Sequence, residues 1–248
     1  MNLILFEPGE WEKPLPLQDR RAEHIRQILK LKPGDLLLAG EIGGNWGTLT
    51  FNGQSEQGLS FASPDFSRSP AQPYPLGLLI GTPRPPTAQR LLRDLTSLGV
   101  ARLVFAATDL GEKSYLQSHL WQSDWKKALA DGAMQAKTTL LPQVERFDSL
   151  GKALQEVFEP HEKPTNRLVF DPSGESLSKT FENFIETTVQ TSFAWAALGP
   201  ERGWSEREKG LLKSSGWSFV NLGERVLRTE TACTVAVSLI LNRVLGIL

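Results

Sequence analysis

The stretch LGLLIGTPRPPTAQRLLRDLTSLGVARLVFAAT, residues 76–108, contains two short apolar runs separated by a longer segment that reads as a helix. The apolar runs are almost uninterrupted, which is typical of strands buried on both faces of a sheet. The same alternation returns later, with apolar runs at residues 166–174, 192–199 and 217–223 and helical stretches at residues 177–189 and 205–216. We therefore predict an α/β fold with a mostly parallel sheet that helices cover on both faces.

The first seventy residues have a different pattern, which predicts a small β-barrel with one helix. Short strands are expected in DLLLAG, NWGTLTFNG and GLSFAS, with Asn45 and Gly53 at the connections. One helix is expected before Pro33, with an apolar face made of Ala22, Ile25, Ile28 and Leu29. The segment FSRSPAQPYP, residues 66–75, marks the boundary, because proline stiffens the chain and removes backbone donors. The predicted domains are residues 1–70 and 74–248.

The bulk composition is that of a globular protein with a sizeable core. The chain has 248 residues, of which 40% are hydrophobic, and its net charge is −1 from 27 basic and 28 acidic side chains. This balance excludes a globally basic nucleic-acid binder, so binding to nucleic acid would need a local patch. No run approaches the roughly 20 apolar residues of a transmembrane helix, and the start MNLILFEPGEW lacks the features of a signal peptide. We expect a cytoplasmic protein that is not bound to a membrane.

The cysteine and the histidines do not suggest a redox or metal site. The single cysteine, Cys233, cannot form an internal disulfide, and its apolar neighbours predict a small buried hydrophobic side chain. His24, His119 and His161 are far apart and lack the spacing of metal ligands. We expect no metal centre.

One local basic patch stands out. The segment RRAEHIRQILKLK, residues 20–32, carries five basic side chains against one acid, Glu23. Taken by composition alone, it is more typical of a solvated helix face than of a binding surface.

Two loops follow apolar strands at positions where open parallel sheets bind ligands. The first is LGPERGWSERE, residues 198–208, where glycine and proline predict a tight turn and Ser205 with Glu208 predicts a capping box, so that a helix begins near Glu206. The loop matches neither the dinucleotide fingerprint G-x-G-x-x-G nor a P-loop.

The second loop is LGERVLRTETACTVAVSLI, residues 222–240. Gly223 ends a strand, Thr229 is expected to cap the next helix, and Glu230 lies near the positive end of that helix. The helix is apolar almost all round, which predicts burial on every side, including by a partner chain. Helix capping does not explain Arg225 and Arg228.

At this point the chain resembles a known family. LGPERG followed by LGERVLRTETA is similar to the paired signature of the SPOUT superfamily of trefoil-knotted methyltransferases. More narrowly, it resembles the enzymes that methylate ring nitrogen 3 of a uridine in 16S (small-subunit) ribosomal RNA. HIRQILKLKPGD resembles a motif of the N-terminal PUA-like barrel in that family, and TSLGVARLV resembles its first crossover. The resemblance spans the chain, and its most specific part is LGxRxLRTETA.

The resemblance implies that S-adenosylmethionine binds in a deep knot and that two knots pack together in a homodimer. The positions that match the cofactor-binding loops of the family are Leu198, Gly199, Pro200, Glu201, Gly203, Leu222, Gly223, Val226 and Leu227. Arg228 would grip a phosphate or a uracil carbonyl, and Glu230 would orient Arg228 or accept a proton, since an arginine does not deprotonate.

The resemblance also changes the interpretation of the basic patch. A PUA-like barrel holds RNA, so Arg26, Lys30 and Lys32 become expected phosphate contacts with ribosomal RNA or the small ribosomal subunit. Arg84 stands where the family usually has a lysine, and we expect it to serve on the RNA side.

The chain also departs from the family pattern. Arg202 replaces a usual glycine, Ser97 replaces a usual glutamate, and Gln135 is the nearest match to a usual Glu-Gln pair. Three alternatives therefore stay open beside the uridine methyltransferase. They are a methyltransferase of the same superfamily acting on another RNA, an RNA-binding protein with a degenerate knot, and a small-molecule enzyme.

Overall fold

A computed structural model of the protein describes residues 3–158, 166–176 and 193–247. These residues form two compact units. The first unit comprises the residues up to Gln72 together with Ala130–Leu141. The second unit comprises Pro73–Leu129 and the residues from Pro142 onward.

The first unit is built on a four-stranded sheet in the order β1-β2-β3-β4. Strand β1 pairs in parallel with β2, and the other pairings are antiparallel. The core lies between this sheet and a short helix that continues as a single π-helical turn, Ile25–Leu29. The elements are β1 (Ile4–Phe6), a 3₁₀ turn (Glu10–Glu12), α1 (Arg20–His24), β2 (Leu36–Glu41), β3 (Trp46–Ser55) and β4 (Gly58–Arg68).

Two details of the first unit differ from the sequence prediction. Gly53 lies inside β3, at a register shift where φ is 132°, and the turn to β4 is formed by residues 56 and 57. The helix ends at Leu29, and Ile28 is 68% exposed where burial was predicted. The π-helical turn rotates the apolar face, because it adds a residue to each turn of the backbone.

The second unit contains a fully parallel sheet among the described residues, in the order β10-β8-β9-β5-β6-β7, which confirms the predicted α/β class. The strands are β5 (Tyr74–Gly81), β6 (Val100–Ala106), β7 (Gln143–Phe147), β8 (Asn166–Ser176), β9 (Ala194–Leu198) and β10 (Ser218–Asn221). The helices are α2 (Pro85–Ser97), α3 (Trp125–Ala136), α4 (Leu150–Val157), α5 (Glu206–Ser214) and α6 (Thr229–Arg243), with shorter turns at Lys113–Gln117 and Leu120–Asp124.

The helices of the second unit group in pairs. Helix α2 contacts α6, and α6 also contacts β9 and β5, whereas α4 contacts α5. Apolar side chains from β5, β6, β8 and β9 form the centre of the unit, where Phe158 stacks edge-on against Trp195 and Trp217 with ring centroids 4.6 and 5.2 Å apart. The helix predicted at residues 177–189 lies outside the described residues.

The segment Ala130–Leu141 joins the first unit, which the sequence analysis did not predict. It includes the second half of α3 and the loop that follows. The amide of Leu3 donates to the carbonyl of Met134 (3.2 Å), and Ala133 packs against Leu3 and Leu5. The first unit is therefore completed by residues far along the chain.

The prediction that helix α6 is apolar almost all round is wrong, and a single chain leaves one face of the helix exposed. One face is fully buried, and it carries Thr229, Cys233, Ala236, Val237, Ile240 and Leu241. A second face is exposed and polar, with Thr231, Thr234, Ser238 and Asn242. Between them lie partly buried apolar side chains: Ala232, Val235 and Leu239. Cys233 is fully buried as predicted, and burial raises the pKa of its thiol.

Within the described residues, no helix combines the length and the apolar character that crossing a membrane requires. The same residues contain no group of three or more His, Cys, Asp or Glu side chains placed to hold a metal ion.

Candidate functional site

The candidate site lies at the carboxyl ends of the central strands of the second unit. Strands β5 and β9 are neighbours at the centre of the sheet, with Ile80 paired to Leu198, and they have β6 and β7 on one side and β8 and β10 on the other. Open parallel sheets bind ligands beyond the carboxyl ends of their strands. Two loops lie at this edge, the β9–α5 loop (residues 199–205) and the β10–α6 loop (residues 222–228).

The β9–α5 loop begins with a tight turn that requires glycine. The amide of Gly203 donates to the carbonyl of Pro200 (2.8 Å), and Gly203 has φ of 70°, in the left-handed region. A Cβ on Gly199 would lie 2.9 Å from the Cα of Gly203, closer than side-chain carbons approach. The two glycines therefore allow the chain to fold back directly after β9, as the sequence predicted.

The turn packs against the ends of β5 and β6. A Cβ on Gly81 would lie 2.4 Å from Cδ of Pro200 and 2.9 Å from Cγ2 of Thr108. Pro200 is buried, and so are Thr82 and Thr108, whose hydroxyl groups have no partner within the described chain. These two buried hydroxyl groups lie at the same edge of the sheet as the turn.

The helix start after this loop confirms the predicted capping box. The amide of Glu208 donates to Oγ of Ser205, and the amide of Ser205 donates to Oε2 of Glu208 (2.9 Å). Glu208 is fully buried, and its second oxygen accepts from the amide of Asp109 (2.9 Å) in the loop after β6. A buried carboxylate without such partners would be strongly unfavourable, and these hydrogen bonds join the start of α5 to the loop after β6.

The carboxylate of Asp109 ties the same segments from the solvent side. It accepts hydrogen bonds from the guanidinium of Arg207 and from Oγ of Ser205. Hydrogen bonds from Arg207 and Ser205 hold the pKa of Asp109 below its usual value. The sequence analysis missed this residue, because its partners lie almost a hundred positions away.

A second acidic group missed by the sequence analysis, Asp171, lies within β8. Asp171 is 7% exposed and accepts from the amide of Ser173 (2.9 Å), with Nζ of Lys209 3.4 Å away. Burial by itself raises the pKa of Asp171, but the hydrogen bonds from Ser173 and the charge of Lys209 outweigh it and leave the pKa lowered. Asp171 therefore connects β8 to α5 as a carboxylate, through Lys209.

The β10–α6 loop is far more open. Gly223, at φ of 102°, donates its amide to Oδ1 of Asn221 (3.1 Å). In the described part of the chain, the amides of residues 224–228 have no acceptor. Val226 is 87% exposed, and Leu222 and Leu227 are partly buried. Free backbone donors beside apolar side chains are what a flat, polar-edged aromatic ligand requires.

The start of helix α6 differs from the prediction. The N-cap residue is Arg228, whose carbonyl accepts from the amide of Ala232 (2.8 Å), and Thr229 is the first helical residue. No side chain caps this end of the helix. Thr229 is buried, at 7% exposure, and its hydroxyl group does not cap the helix. The side chain of Arg228 is exposed and makes no ion pair within the described residues.

Two ion pairs connect the site to helix α2, and both involve residues of interest. The guanidinium of Arg84, just before α2, lies 3.2 Å from the carboxylate of Glu201 in the β9–α5 loop. The guanidinium of Arg90 lies 3.3 Å from the carboxylate of Glu230. The sequence analysis expected Glu230 to orient Arg228, but the structure pairs Glu230 with Arg90 instead. The sequence analysis also missed Arg90, because its position in the predicted helix indicates only an exposed side chain.

In the first unit, the structure sorts the basic patch into two groups. Arg20 pairs with Asp131 (3.0 Å), and Arg21 is held by Glu10 (2.6 Å) and Asp19 (2.8 Å). Arg20 and Arg21 are therefore engaged in ion pairs within the first unit. The other three basic side chains are exposed, and none makes an ion pair within the described residues: Arg26, Lys30 and Lys32.

Comparison with known proteins identifies a family. The profile described as RNA methyltransferase domain matches residues 70–241. The ribosomal RNA small subunit methyltransferase E of Treponema pallidum is 32% identical over 246 residues, covering 97% of this chain and 91% of the relative. The ribosomal RNA small subunit methyltransferase E 1 of Borreliella burgdorferi is 33% identical, covering 97% of each chain.

A solved structure has the same fold. The ribosomal RNA small subunit methyltransferase E of Neisseria gonorrhoeae, crystallised with S-adenosyl methionine bound, aligns with a TM-score of 0.72 over 98% of this chain and 97% of its own, at 18% sequence identity. At that identity the likeness concerns the fold alone.

Proposed function

This chain belongs to the family of RNA methyltransferase domains, and we propose that it methylates ring nitrogen 3 of a uridine in small-subunit ribosomal RNA. The enzyme class is S-adenosylmethionine-dependent methyl transfer to ribosomal RNA. The observation that carries the proposal is similarity across nearly the whole chain, at 32% and 33% identity, to two proteins named for the small-subunit RNA. We place the reaction in the cytoplasm, where that RNA is assembled into subunits.

The two loops at the carboxyl edge of the sheet suit S-adenosylmethionine. The tight turn Leu198–Gly199–Pro200–Glu201 with Gly203 would bring backbone close to a ligand. The second loop, which contains Leu222, Gly223, Val226 and Leu227, has amides without an acceptor at residues 224–228 beside the exposed side chain of Val226. The cofactor supplies a methyl group on a sulfonium centre, which is positively charged and electrophilic. The residues of the chain bind and orient it, since transfer requires a close, aligned approach.

We further propose that the second unit is a trefoil knot that works as a homodimer. The support is the family signature in both loops together with the face of α6 formed by Ala232, Val235 and Leu239. These apolar side chains are only partly covered by the second unit, and a second copy of the chain would complete their burial.

The uridine would meet the site at the start of α6. Nitrogen 3 must lose its proton, so negative charge spreads onto the uracil carbonyl oxygens. The exposed, permanently charged guanidinium of Arg228 is suited to stabilise that charge or to grip a neighbouring phosphate. Glu230 is the carboxylate nearest in sequence, and it would accept the proton or hold the arginines in place.

The first unit would hold the RNA as a PUA-like barrel. Its three exposed, unpaired basic side chains, Arg26, Lys30 and Lys32, are suited to phosphate contacts, while Arg84 would act from the second unit. Replacing the three by glutamine should weaken RNA binding and lower the slope of log K against log salt by up to about 2–3, because each phosphate contact contributes about 0.7–0.9. Lys13→Gln, an exposed control, should leave the slope unchanged.

The experiment that tests the function compares small-subunit RNA from cells with and without the protein. Methylation at nitrogen 3 removes a base-pairing hydrogen, so reverse transcription should stop at one uridine only in RNA from cells that have the protein. Purified protein and S-adenosylmethionine should restore the stop on subunits from cells lacking it. Identical stops in both RNAs would reject this substrate, and restoration at a different base would reject ring nitrogen 3 of uridine.

A further inference from the structure

We propose that Arg90 is a positioning residue for methyl transfer, which acts by holding the carboxylate of Glu230 and so leaves Arg228 free for the RNA. Nη2 of Arg90 lies 3.3 Å from Oε1 of Glu230, across the contact between helices α2 and α6. The inference rests on the proposed function, because it assigns a role within that reaction.

Arg90 is aimed at Glu230 from its own helix. Its Nη2 also lies 3.5 Å from Oγ1 of Thr87, one turn earlier, and Thr87 is 2% exposed. The next two residues, Leu91 and Leu92, are buried and fix this part of α2 against the core. The guanidinium is therefore presented to α6 from a rigid base.

The carboxylate of Glu230 is held at the start of α6, where the uridine is proposed to bind. It lies in the first turn of α6, where the helix dipole favours a carboxylate, and its side chain is 24% exposed against 46% for Arg90. A partly exposed pair of this kind contributes little to stability. Displacing a reacting group by about 1 Å, by contrast, can lower a rate by roughly 100-fold. The pair is therefore better explained by positioning than by stability.

The pairing also determines what Arg228 can do. Arg228 precedes Glu230 by two positions in the chain, but the guanidinium that pairs with Glu230 is that of Arg90. The backbone of Arg228 is fixed as the N-cap of α6, while its side chain is exposed. Its positive charge thus stays available for a phosphate or for the charge that develops on uracil.

The test is a double-mutant cycle on methyl transfer to small ribosomal subunits, with kcat, KM and the affinity for S-adenosylmethionine measured for each variant. Arg90→Gln should lower kcat by about 10-fold or more, with cofactor affinity unchanged. In a Glu230→Gln background, Arg90→Gln should not lower kcat further, because the carboxylate that Arg90 holds is already absent. Arg90→Lys should restore part of kcat, since it keeps a positive donor. Arg93→Gln, one turn further along α2 and exposed, is the matched control and should behave as wild type.

Each other outcome contradicts the inference in a recognisable way. If the fold-reductions in kcat of Arg90→Gln and Glu230→Gln multiply in the double variant, or if Arg90→Gln raises KM alone, Arg90 contacts the RNA directly. Loss of cofactor affinity or a lowered melting temperature in Arg90→Gln would show a structural role. If the wild-type protein transfers no methyl group to any RNA, the proposed function fails and this inference with it. If the wild type is active while Arg90→Gln keeps its kcat, the inference alone fails.

Discussion

The two loops of the site are held in opposite ways. The β9–α5 loop is fastened by its own chain, through the Gly203–Pro200 turn, the capping box and the buried carboxylate of Glu208. The β10–α6 loop ends without a side-chain cap, exposes Val226, and has unused amides in the described structure. Both loops carry signature residues of the same family.

This difference indicates that the two loops have different roles in binding. A loop that is already ordered binds without a further loss of conformational entropy, so it can define where the ligand goes. A loop with few internal contacts lies at the low-stability end of a structure and can be ordered by what it binds. We infer that the β9–α5 loop preforms the cofactor site, and that the β10–α6 loop is completed by cofactor, RNA and partner chain.

The largest effect on activity is expected from a substitution in the β10–α6 loop, which is the open loop of this comparison. Arg228→Ala should lower the rate of methyl transfer by about 100-fold or more, the usual effect of losing a group that stabilises charge in the transition state. Affinity for S-adenosylmethionine, measured by calorimetry, should stay nearly unchanged. Arg225→Ala, exposed in the same loop, is the control and should affect both much less. An equal loss of rate and cofactor affinity in Arg228→Ala would assign this residue to the structure of the cofactor site.

The next effect concerns the stability of the β9–α5 loop, which is the ordered loop of this comparison. Glu208→Gln keeps the shape of the side chain but replaces one acceptor oxygen of a buried group by a donor, and so leaves the amide of Ser205 or of Asp109 without its partner. The free energy of unfolding should fall by about 1–3 kcal/mol. For a chain of this length the melting temperature should drop by roughly 2–4 °C per kcal/mol.

The matching substitution in the open loop is Glu224→Gln, at an exposed position. It should leave the melting temperature within error, because surface substitutions are usually worth less than about 0.5 kcal/mol. Equal melting temperatures for Glu208→Gln and Glu224→Gln would break the comparison, since they would mean that the ordered loop does not depend on its buried carboxylate.

How far the sequence predicts this molecule depends on the distance between interacting residues. The capping box of Ser205 and Glu208 is local, and the prediction of a helix from Glu206 is confirmed. The runs around β5, β6, β8, β9 and β10 also form strands as expected, because a continuous apolar run buried on both faces is recognisable by itself. Family membership was also predicted from signature residues and is confirmed.

The parts that the sequence could not predict depend on distant residues. Arg90 and Glu230 are 140 positions apart, and Asp109 reaches Glu208 across 99 positions. Neither pair leaves a mark in periodicity or spacing. The failed prediction of Thr229 as a cap has the same origin, because tertiary packing buries that side chain and overrides its local preference. The addition of Ala130–Leu141 to the first unit is likewise a tertiary event.

The smallest effect should appear in the acid stability of the ordered loop. Hydrogen bonds from Arg207 and Ser205 lower the pKa of Asp109 in the folded protein below its value in the unfolded chain. The stabilisation is therefore fully present above the ordinary aspartate pKa of about 3.9, and it is lost as the pH falls through the lowered folded value. Exposure and salt keep this contribution small.

The measurement is the melting temperature of wild type, Asp109→Asn and Arg207→Gln between about pH 3 and 7. At neutral pH both variants should melt slightly below wild type, and the difference should shrink as the pH falls below about 4, where Asp109 of the unfolded chain takes up a proton before Asp109 of the folded protein does. Glu224→Gln, in the open loop, should follow the wild-type curve throughout, because no ion pair holds that side chain within the described residues. A constant difference at every pH would mean that Asp109 stabilises its loop by shape and not by charge. The ordered loop would then depend on the buried Glu208 alone for its electrostatic support.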